Sequence, residues 1–314
     1  MGANYQSAAD VLASWRDDLL SGRRPTFYPI GDGDLSRIEI GPGLVTLLGG
    51  APGAGKTAFA MQSIVDALRL TPDLRAVVCN IEMLPAVLVD RQLARLSGID
   101  LATIRYRRLT EAHADRIDAG LATLTEVCGR LAFVRPPFDL ANVAAVADEF
   151  DAGLICLDYI QRIRAPGNHD DKRGNVDATM GHLRAFADAG VAVIVLSAVG
   201  RGKSSNGTSS YEGLGLASFR ESSELEFGCD DAFILAGDGS ADGVVLKHLK
   251  SRNGACHDLE LDFNRALQRF TARGFEDPFP PSDSRAGLLS ATGRAWAVDD
   301  LTDTAADEWG HDDR

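Results

Sequence analysis

Gly50-Ala51-Pro52-Gly53-Ala54-Gly55-Lys56-Thr57 lies between the apolar run Leu44-Val45-Thr46-Leu47-Leu48 and the stretch Thr57-Ala58-Phe59-Ala60-Met61-Gln62. The first flank reads as a buried strand, the second as the start of a helix. The eight residues between fill the spacing G-x-x-x-x-G-K-T. Its glycines let successive backbone N–H groups turn inward at the positive end of the helix dipole, a cradle for a polyphosphate. Lys56 is expected to reach the β- and γ-phosphates, and the Thr57 hydroxyl to ligate Mg²⁺. A glycine-rich turn carrying an incidental lysine would not need strand and helix on the correct sides. Residues Gly50, Ala51, Pro52, Gly53, Ala54, Gly55, Lys56 and Thr57 are therefore read as a nucleoside triphosphate site.

The chain has 314 residues, enough for one large α/β domain or one domain with tails, and 45% of them are apolar, which suits a substantial core. No run approaches the roughly 18 to 20 apolar residues that cross a bilayer. The segment Met1-Gly2-Ala3-Asn4-Tyr5-Gln6 lacks the basic and apolar regions of a signal peptide. Cys79, Cys128, Cys156, Cys229 and Cys256 are scattered without a C-x-x-C pair, which fits a reducing cytoplasm and argues against a zinc site. The net charge of −13 speaks against a broadly basic nucleic-acid binder. A ring or channel, however, needs positive charge only along its inner surface.

Ala8 to Leu20 form an amphipathic helix with Val11, Leu12, Trp15, Leu19 and Leu20 on one face, stopped by Ser21-Gly22. It packs on its own domain or docks as an arm on a neighbouring subunit. Short apolar strands then alternate with helices, the pattern of a mostly parallel sheet covered on both faces. Strands are expected at 44–48, 76–81, 131–134, 154–158 and 191–197, with helices near 57–70, 85–97, 112–127, 139–149 and 175–189. Strand-like runs at 232–235, 244–249 and 259–263 suggest an antiparallel extension at one sheet edge. Residues 164–175 and 200–217 read as loops at the carboxyl ends of strands, where ligands bind. The expected division is an arm over 1–36, an ATPase domain over 37–275 and an acidic, disordered tail over 276–314.

Leu154-Ile155-Cys156-Leu157-Asp158 is an apolar strand ending in a carboxylate, as expected for the Walker B aspartate that holds Mg²⁺ in a phosphate-loop ATPase. Ala76-Val77-Val78-Cys79-Asn80-Ile81 ends in Glu82. Neighbouring parallel strands deliver their ends to one crevice, so Glu82 can polarise a water for attack on the γ-phosphate.

With these residues in place the chain resembles the DnaB-type replicative helicases over roughly residues 27–272. Asn80-Ile81-Glu82-Met83 followed by Asp90-Arg91 is similar to the family's S-L-E-M…R segment, and Leu157-Asp158-Tyr159-Ile160-Gln161 to its D-Y-L-Q strand. Ser218-Phe219-Arg220-Glu221-Ser222-Ser223-Glu224-Leu225-Glu226, with Asp230-Asp231, resembles D-L-R-E-S-G-x-I-E…D-A-D. Lys250-Ser251-Arg252-Asn253-Gly254 resembles K-x-R-N-G. The resemblance implies a RecA-like phosphate-loop NTPase fold, ATP and Mg²⁺ as cofactors, and Glu82 as catalytic glutamate. It further implies a hexameric ring in which Lys250 and Arg252 reach a neighbour's ATP site. A guanidinium supplied in that way neutralises charge on the transferring phosphoryl group, an effect of roughly 10³–10⁵ in rate.

Three departures stand beside the matches. Val195-Leu196-Ser197-Ala198-Val199-Gly200-Arg201 aligns with A-L-S-Q-L-x-R, so an alanine occupies the position of the glutamine that senses the γ-phosphate. Ser223 stands where the family has glycine. Only roughly 35 residues precede the motor, where the family carries a primase-binding helical domain, so a stand-alone motor is expected. Single-stranded DNA is assigned to Arg164, Lys172 and Arg173, beside Arg162, in the first loop, and to Arg201 and Lys203 in the second, with Tyr211 available for stacking. The N-terminal helix or the acidic tail is available to replication partners. The competing reading is an ATP-switched assembly or DNA-binding ATPase of the RecA/KaiC superfamily that does not unwind. A RadA-type recombination ATPase is disfavoured by the string at 218–231.

Overall fold

The computed structural model describes residues 5–22, 25–167, 171–200, 202–203, 209–210, 214–219 and 224–273. Arg201, Tyr211 and the tail beyond Arg273 lie outside these residues.

Strand β1 (Val45–Gly50), buried at every position, sits mid-sheet. To one side lie β5 (Ala192–Leu196), β4 (Leu154–Asp158), β2 (Ala76–Asn80) and β3 (Leu131–Phe133), and to the other β8 (Asp231–Gly237), all parallel. Beyond β8 the direction alternates through β9 (Gly243–Ser251), β10 (Leu259–Asn264) and β11 (Arg269–Ala272). This nine-stranded sheet is the mostly parallel one with an antiparallel edge that the sequence pattern predicts, except that β8, expected within the antiparallel extension, runs parallel to β1, and β11 is an addition. The pair β6 (Gly202–Lys203) and β7 (Ser209–Ser210) forms a separate antiparallel ladder.

Consecutive residues of the central strands enter opposite cores. Ala76 and Val78 join Leu154 and Cys156 on one face, while Val77 and Cys79 join Ile155 and Leu157 on the other. Burial on both faces is why these strands read as continuous apolar runs instead of alternating ones. The first core is closed by α2 (Lys56–Leu70), α3 (Pro85–Ser97) and α5 (Ala114–Cys128), through Ile64, Leu68, Leu88 and Val127. The second is closed by α6 (Leu140–Glu149), α7 (Lys172–Asp188) and α8 (Glu224–Gly228), through Val143, Met180, Leu183 and Leu225. The short α4 (Leu101–Arg105), capped by Asp100, is an element the periodicity does not predict.

Two expectations need correction. The loop predicted over 164–175 is shorter, because α7 begins at Lys172 with the Asp171 carboxylate accepting the Gly174 N–H at 2.7 Å. Lys172 and Arg173 therefore lie on a helical first turn. Tyr28, Ile30 and Leu35, inside the expected 1–36 arm, are buried in the first core together with Ile38 and Ile40 of the ATPase domain.

The arm itself reduces to α1 (Ala8–Leu20), which starts at a capping box between Ser7 and Asp10. Its apolar face does not pack on its own domain. Trp15 is 56% exposed and Leu20 71%, with Val11, Leu12 and Leu19 exposed as well.

Candidate functional site: a phosphate cradle and a remote cationic edge

The phosphate loop is forced by its glycines and by what lies beneath them. Gly50, Gly53 and Gly55 have φ of 157°, 78° and 95°, values that disfavour any side chain. Gly55 is excluded from change for a second reason: a Cβ there would lie 2.8 Å from Phe270 Cζ and 2.9 Å from Phe263 Cε1. Those two rings stack with centroids 4.1 Å apart and floor the loop from β10 and β11. Gln62 fastens α2 to the same floor, its amide donating to Phe270 O and its carbonyl accepting the Phe270 N–H, each at 2.9 Å. At the rim, Arg265 donates to Gly53 O at 3.0 Å. Ala51, Pro52 and Ala54 make the turn, closed by the Ala54 N–H on Ala51 O.

Lys56 and Thr57 open α2 and point back over this turn. Lys56 Nζ donates to Gly50 O at 2.7 Å and to Ala51 O at 3.1 Å. Burial pulls its pKa down, opposed by the charges of Asp158 and Glu82. Thr57 Oγ1 donates to Asp158 Oδ2 at 2.6 Å, joining two residues 101 positions apart. The pairing of Asn80 with Asp158 across β2 and β4 brings the Asn80 amide to the same carboxylate oxygen at 2.6 Å. The Asn80 carbonyl in turn accepts the N–H groups of Glu82 and Met83, which holds the turn that carries the exposed Glu82 side chain. Burial raises the Asp158 pKa; the Thr57 hydrogen bond opposes this, Glu82 reinforces it, and Lys56 and Arg91 counter it. The loop at 50–57, Asp158 and Glu82 thus lie around one crevice.

Lys250 and Arg252 are not brought to that crevice. Lys250 lies in the last residues of β9 and Arg252 just beyond it, beside Asp231, which pairs with Thr46 at the start of β1. At about 3.3 Å per residue, the four steps from Thr46 to Gly50 alone put the two sites roughly 13 Å apart along the sheet. Lys250 Nζ donates to Glu226 O at 2.6 Å and Cys229 O at 2.7 Å, at the carbonyl end of α8. Arg252 donates to Phe227 O at 3.0 Å and pairs with Asp230 Oδ1 at 3.1 Å, while half its side chain stays exposed. Asp230 also receives Arg184 and the Val45 N–H, so one buried carboxylate joins this cationic edge to the start of β1.

Four of the candidate DNA-contacting residues lie at the carboxyl end of the sheet. Arg162 and Arg164 follow β4, and Lys172 and Arg173 open α7, with Arg164, Lys172 and Arg173 exposed. Asn175 pins that segment, its amide donating to Ile163 O and its carbonyl accepting the Ala165 N–H. Lys203 is placed in β6 at the backbone level. At the end of β5, the Ala198 N–H donates to Gln161 Oε1 at 3.2 Å, and Gln161 Nε2 donates to Ser197 Oγ at 2.8 Å. A glutamine from the β4 end therefore clamps the backbone where the family's own glutamine is replaced. Cys79 and Cys156 are core residues with thiols pushed up by burial, Cys79 to about 12.

Asn80, Gln62, Phe263, Phe270, Arg265 and Arg91 are site residues that sequence reasoning left without a role. Arg91 on α3 feels the Asp158 charge, and its Nε is buried with no hydrogen-bond partner among the described residues. The available signal was a polar residue closing an apolar strand, Asn80, and the Arg91 already inside the N-I-E-M…R match. The aromatic floor carried no such signal.

Comparison with known proteins agrees with this geometry. The replicative DNA helicase DnaC of Bacillus subtilis (strain 168) is 25% identical over 298 residues, covering 88% of this chain and 64% of that protein. The replicative DNA helicase DnaB of Rickettsia bellii (strain RML369-C) is 26% identical over 174 residues, covering 50% of this chain and 34% of that one. The chain thus spans about one to two thirds of these relatives' length. A DnaB-like replicative helicase, solved to show its interactions with primase, superposes with a TM-score of 0.73 at 18% identity. That superposition covers 84% of this chain and 68% of the helicase, and it establishes a shared fold. The pattern of the DnaB-like helicase C terminal domain matches residues 39–272, and the chain belongs to that family.

Proposed function

We propose that the protein is an ATP-driven DNA helicase motor of the DnaB type, hydrolysing ATP with Mg²⁺ at the subunit interfaces of a hexameric ring and moving along single-stranded DNA in replication. The observation that carries this reading is the split of the hydrolysis machinery between two ends of one sheet. Lys56, Thr57, Asp158 and Glu82 gather at the carboxyl end, while Lys250 and Arg252 are anchored at the other. Held there, the cations can serve only a triphosphate bound to another copy, and a closed ring supplies every site with one pair.

The donors fit the expected cofactor. Thr57 Oγ1 and the Asp158 carboxylate are hard oxygen ligands 2.6 Å apart, suited to Mg²⁺ directly or through water. When bound, Mg²⁺ neutralises charge on the phosphates. Lys56 is released from Gly50 O and Ala51 O to pair with the β- and γ-phosphates. Glu82 orients the attacking water, and a neighbour's Arg252 compensates the charge that develops on the transferring group. The exposed face of α1 docks on the adjacent subunit, and single-stranded DNA is bound through Arg164, Lys172 and Arg173, with Arg201 and Lys203 assigned to the same strand from the sequence.

A second reading, an ATP-switched assembly or DNA-binding ATPase without unwinding, is favoured by Ala198 and by the net charge of −13. The Ala198 methyl group cannot hydrogen-bond, and its backbone N–H is already engaged by Gln161. Under that reading hydrolysis survives without coupling to DNA movement.

Shared sites are tested by mixing two defective variants. Arg252→Ala and Glu82→Gln each lose turnover by about 10³-fold or more while still binding nucleotide. Mixed in equal amounts, they recover activity from the roughly one quarter of interfaces that combine an intact glutamate with an intact arginine. No recovery on mixing, or wild-type turnover in Arg252→Ala, contradicts the proposal.

A further inference from the structure

We propose that His248 and Asp231 form a positioning pair that holds the hairpin bearing Arg252 in the orientation its role across the interface requires. This rests on the reading of Arg252 as a residue acting on a neighbour's triphosphate. The observations are local and independent of the resemblance. His248 Nε2 lies 2.9 Å from Asp231 Oδ1, and both side chains are nearly closed to solvent, 8% and 5% exposed. The ring stacks on Phe233 with centroids 4.3 Å apart. His248 Nδ1 accepts the His257 N–H at 3.3 Å, so the hydrogen-bond network assigns the ring proton to Nε2, where it is donated to the carboxylate. The backbone N–H of His248 donates to Asp258 Oδ1 at 2.9 Å.

These bonds divide the β9–β10 connection between two adjacent residues at the entry to β8. The outgoing limb is tied to Asp230, through the Arg252 N–H on its carbonyl at 2.9 Å and the guanidinium on its carboxylate. The returning limb, His257 and Asp258, is tied to His248, and His248 to Asp231. A register shift between Ala232 and Phe233 places Lys250 opposite Ala232 and His248 opposite Phe233, the kind of irregularity that re-aims side chains at functional edges.

The pair is an expensive way to fill space. Asp231 Oδ2 is buried with no hydrogen-bond partner among the described residues. Apolar side chains of similar volume fill such a position at equal or lower cost. What they do not supply is direction: an acceptor for His257 and a donor for Asp231 that together fix one geometry of the connection. Lys250 and Asp230, the charged neighbours on the same edge, are occupied with α8 carbonyls and with Arg184 and Arg252.

The test is a double-mutant cycle on ATP turnover by the full chain. His248→Phe keeps the ring stack and removes both ring hydrogen bonds. It should lower kcat on the order of ten- to a hundredfold, the scale of a misplaced catalytic group, with KM for ATP changed less than about twofold. His248→Gln, which offers an N–H to Asp231 and an oxygen to His257, should recover most of kcat. In an Arg252→Ala background, His248→Phe should cause no further loss, because a residue acting through Arg252 has nothing left to position. His257→Pro removes the exposed N–H donor together with the side chain and, set beside His257→Ala, which keeps that N–H and should leave kcat unchanged, should reproduce the kcat loss; it carries the test if His248→Phe fails to fold. Wild-type kcat in His248→Phe or His257→Pro beside an inactive Arg252→Ala overturns the proposal and leaves the Arg252 role standing. Losses that multiply in the double variant overturn it as well. Wild-type turnover in Arg252→Ala removes that role, and with it the reason for the pair.

Discussion

Asp158 carries a conflict between burial and charge. Its carboxylate is 4% exposed and accepts from Thr57 and Asn80, yet burial still raises its pKa. A raised carboxyl favours the protonated form in the folded state. Stability of the nucleotide-free protein therefore falls as pH rises from the ordinary aspartate range through the raised value. Asp158→Asn keeps an acceptor for Thr57 and Asn80 and removes the buried charge. It is expected to stabilise the nucleotide-free protein by on the order of 1 kcal/mol at neutral pH, to flatten that part of its pH profile, and to lower turnover at least roughly a hundredfold. Thermal melts across pH together with ATPase rates check this; a destabilised or fully active variant contradicts it. Lys56, Thr57, Asp158 and Glu82 were legible because short motifs encode them. Asn80 and Arg91 lay inside a matching motif yet received no role. Phe263, Phe270 and Gln62 were illegible, because their contacts with the loop join segments about two hundred residues apart and follow no local spacing.

The strands announced themselves through continuous apolar runs, since both faces of the sheet are covered. The start of α7 did not: Gly174 and Asn175 made its first turn read as loop. The structure uses Gly174 to cap the helix on Asp171 and Asn175 to pin Ile163 and Ala165. For α1 the sequence left two destinations open, and its exposed apolar face excludes packing on its own domain. If that face covers a neighbouring subunit, Trp15→Asp shifts the protein toward monomer at low micromolar concentration. Because Trp15 is exposed within its own chain, monomer stability should change by no more than about 0.5 kcal/mol. Sedimentation and melting curves separate the two effects, and an unchanged assembly state argues that α1 docks elsewhere.

At the scale of the molecule, the antiparallel strands do two jobs. Their β10–β11 end floors the phosphate loop, and their β9 end presents Lys250 and Arg252 about one sheet length away. A single chain thereby carries a cationic edge and a phosphate loop that do not meet within it, the arrangement that the proposed head-to-tail ring requires. Ala198 bears on the proposed step from hydrolysis to movement along DNA. Strand displacement on a forked duplex tests that step most directly. The account predicts ATP- and Mg²⁺-dependent unwinding by the intact chain, abolished in Lys56→Ala. Hydrolysis stimulated by single-stranded DNA with no strand displaced would contradict it.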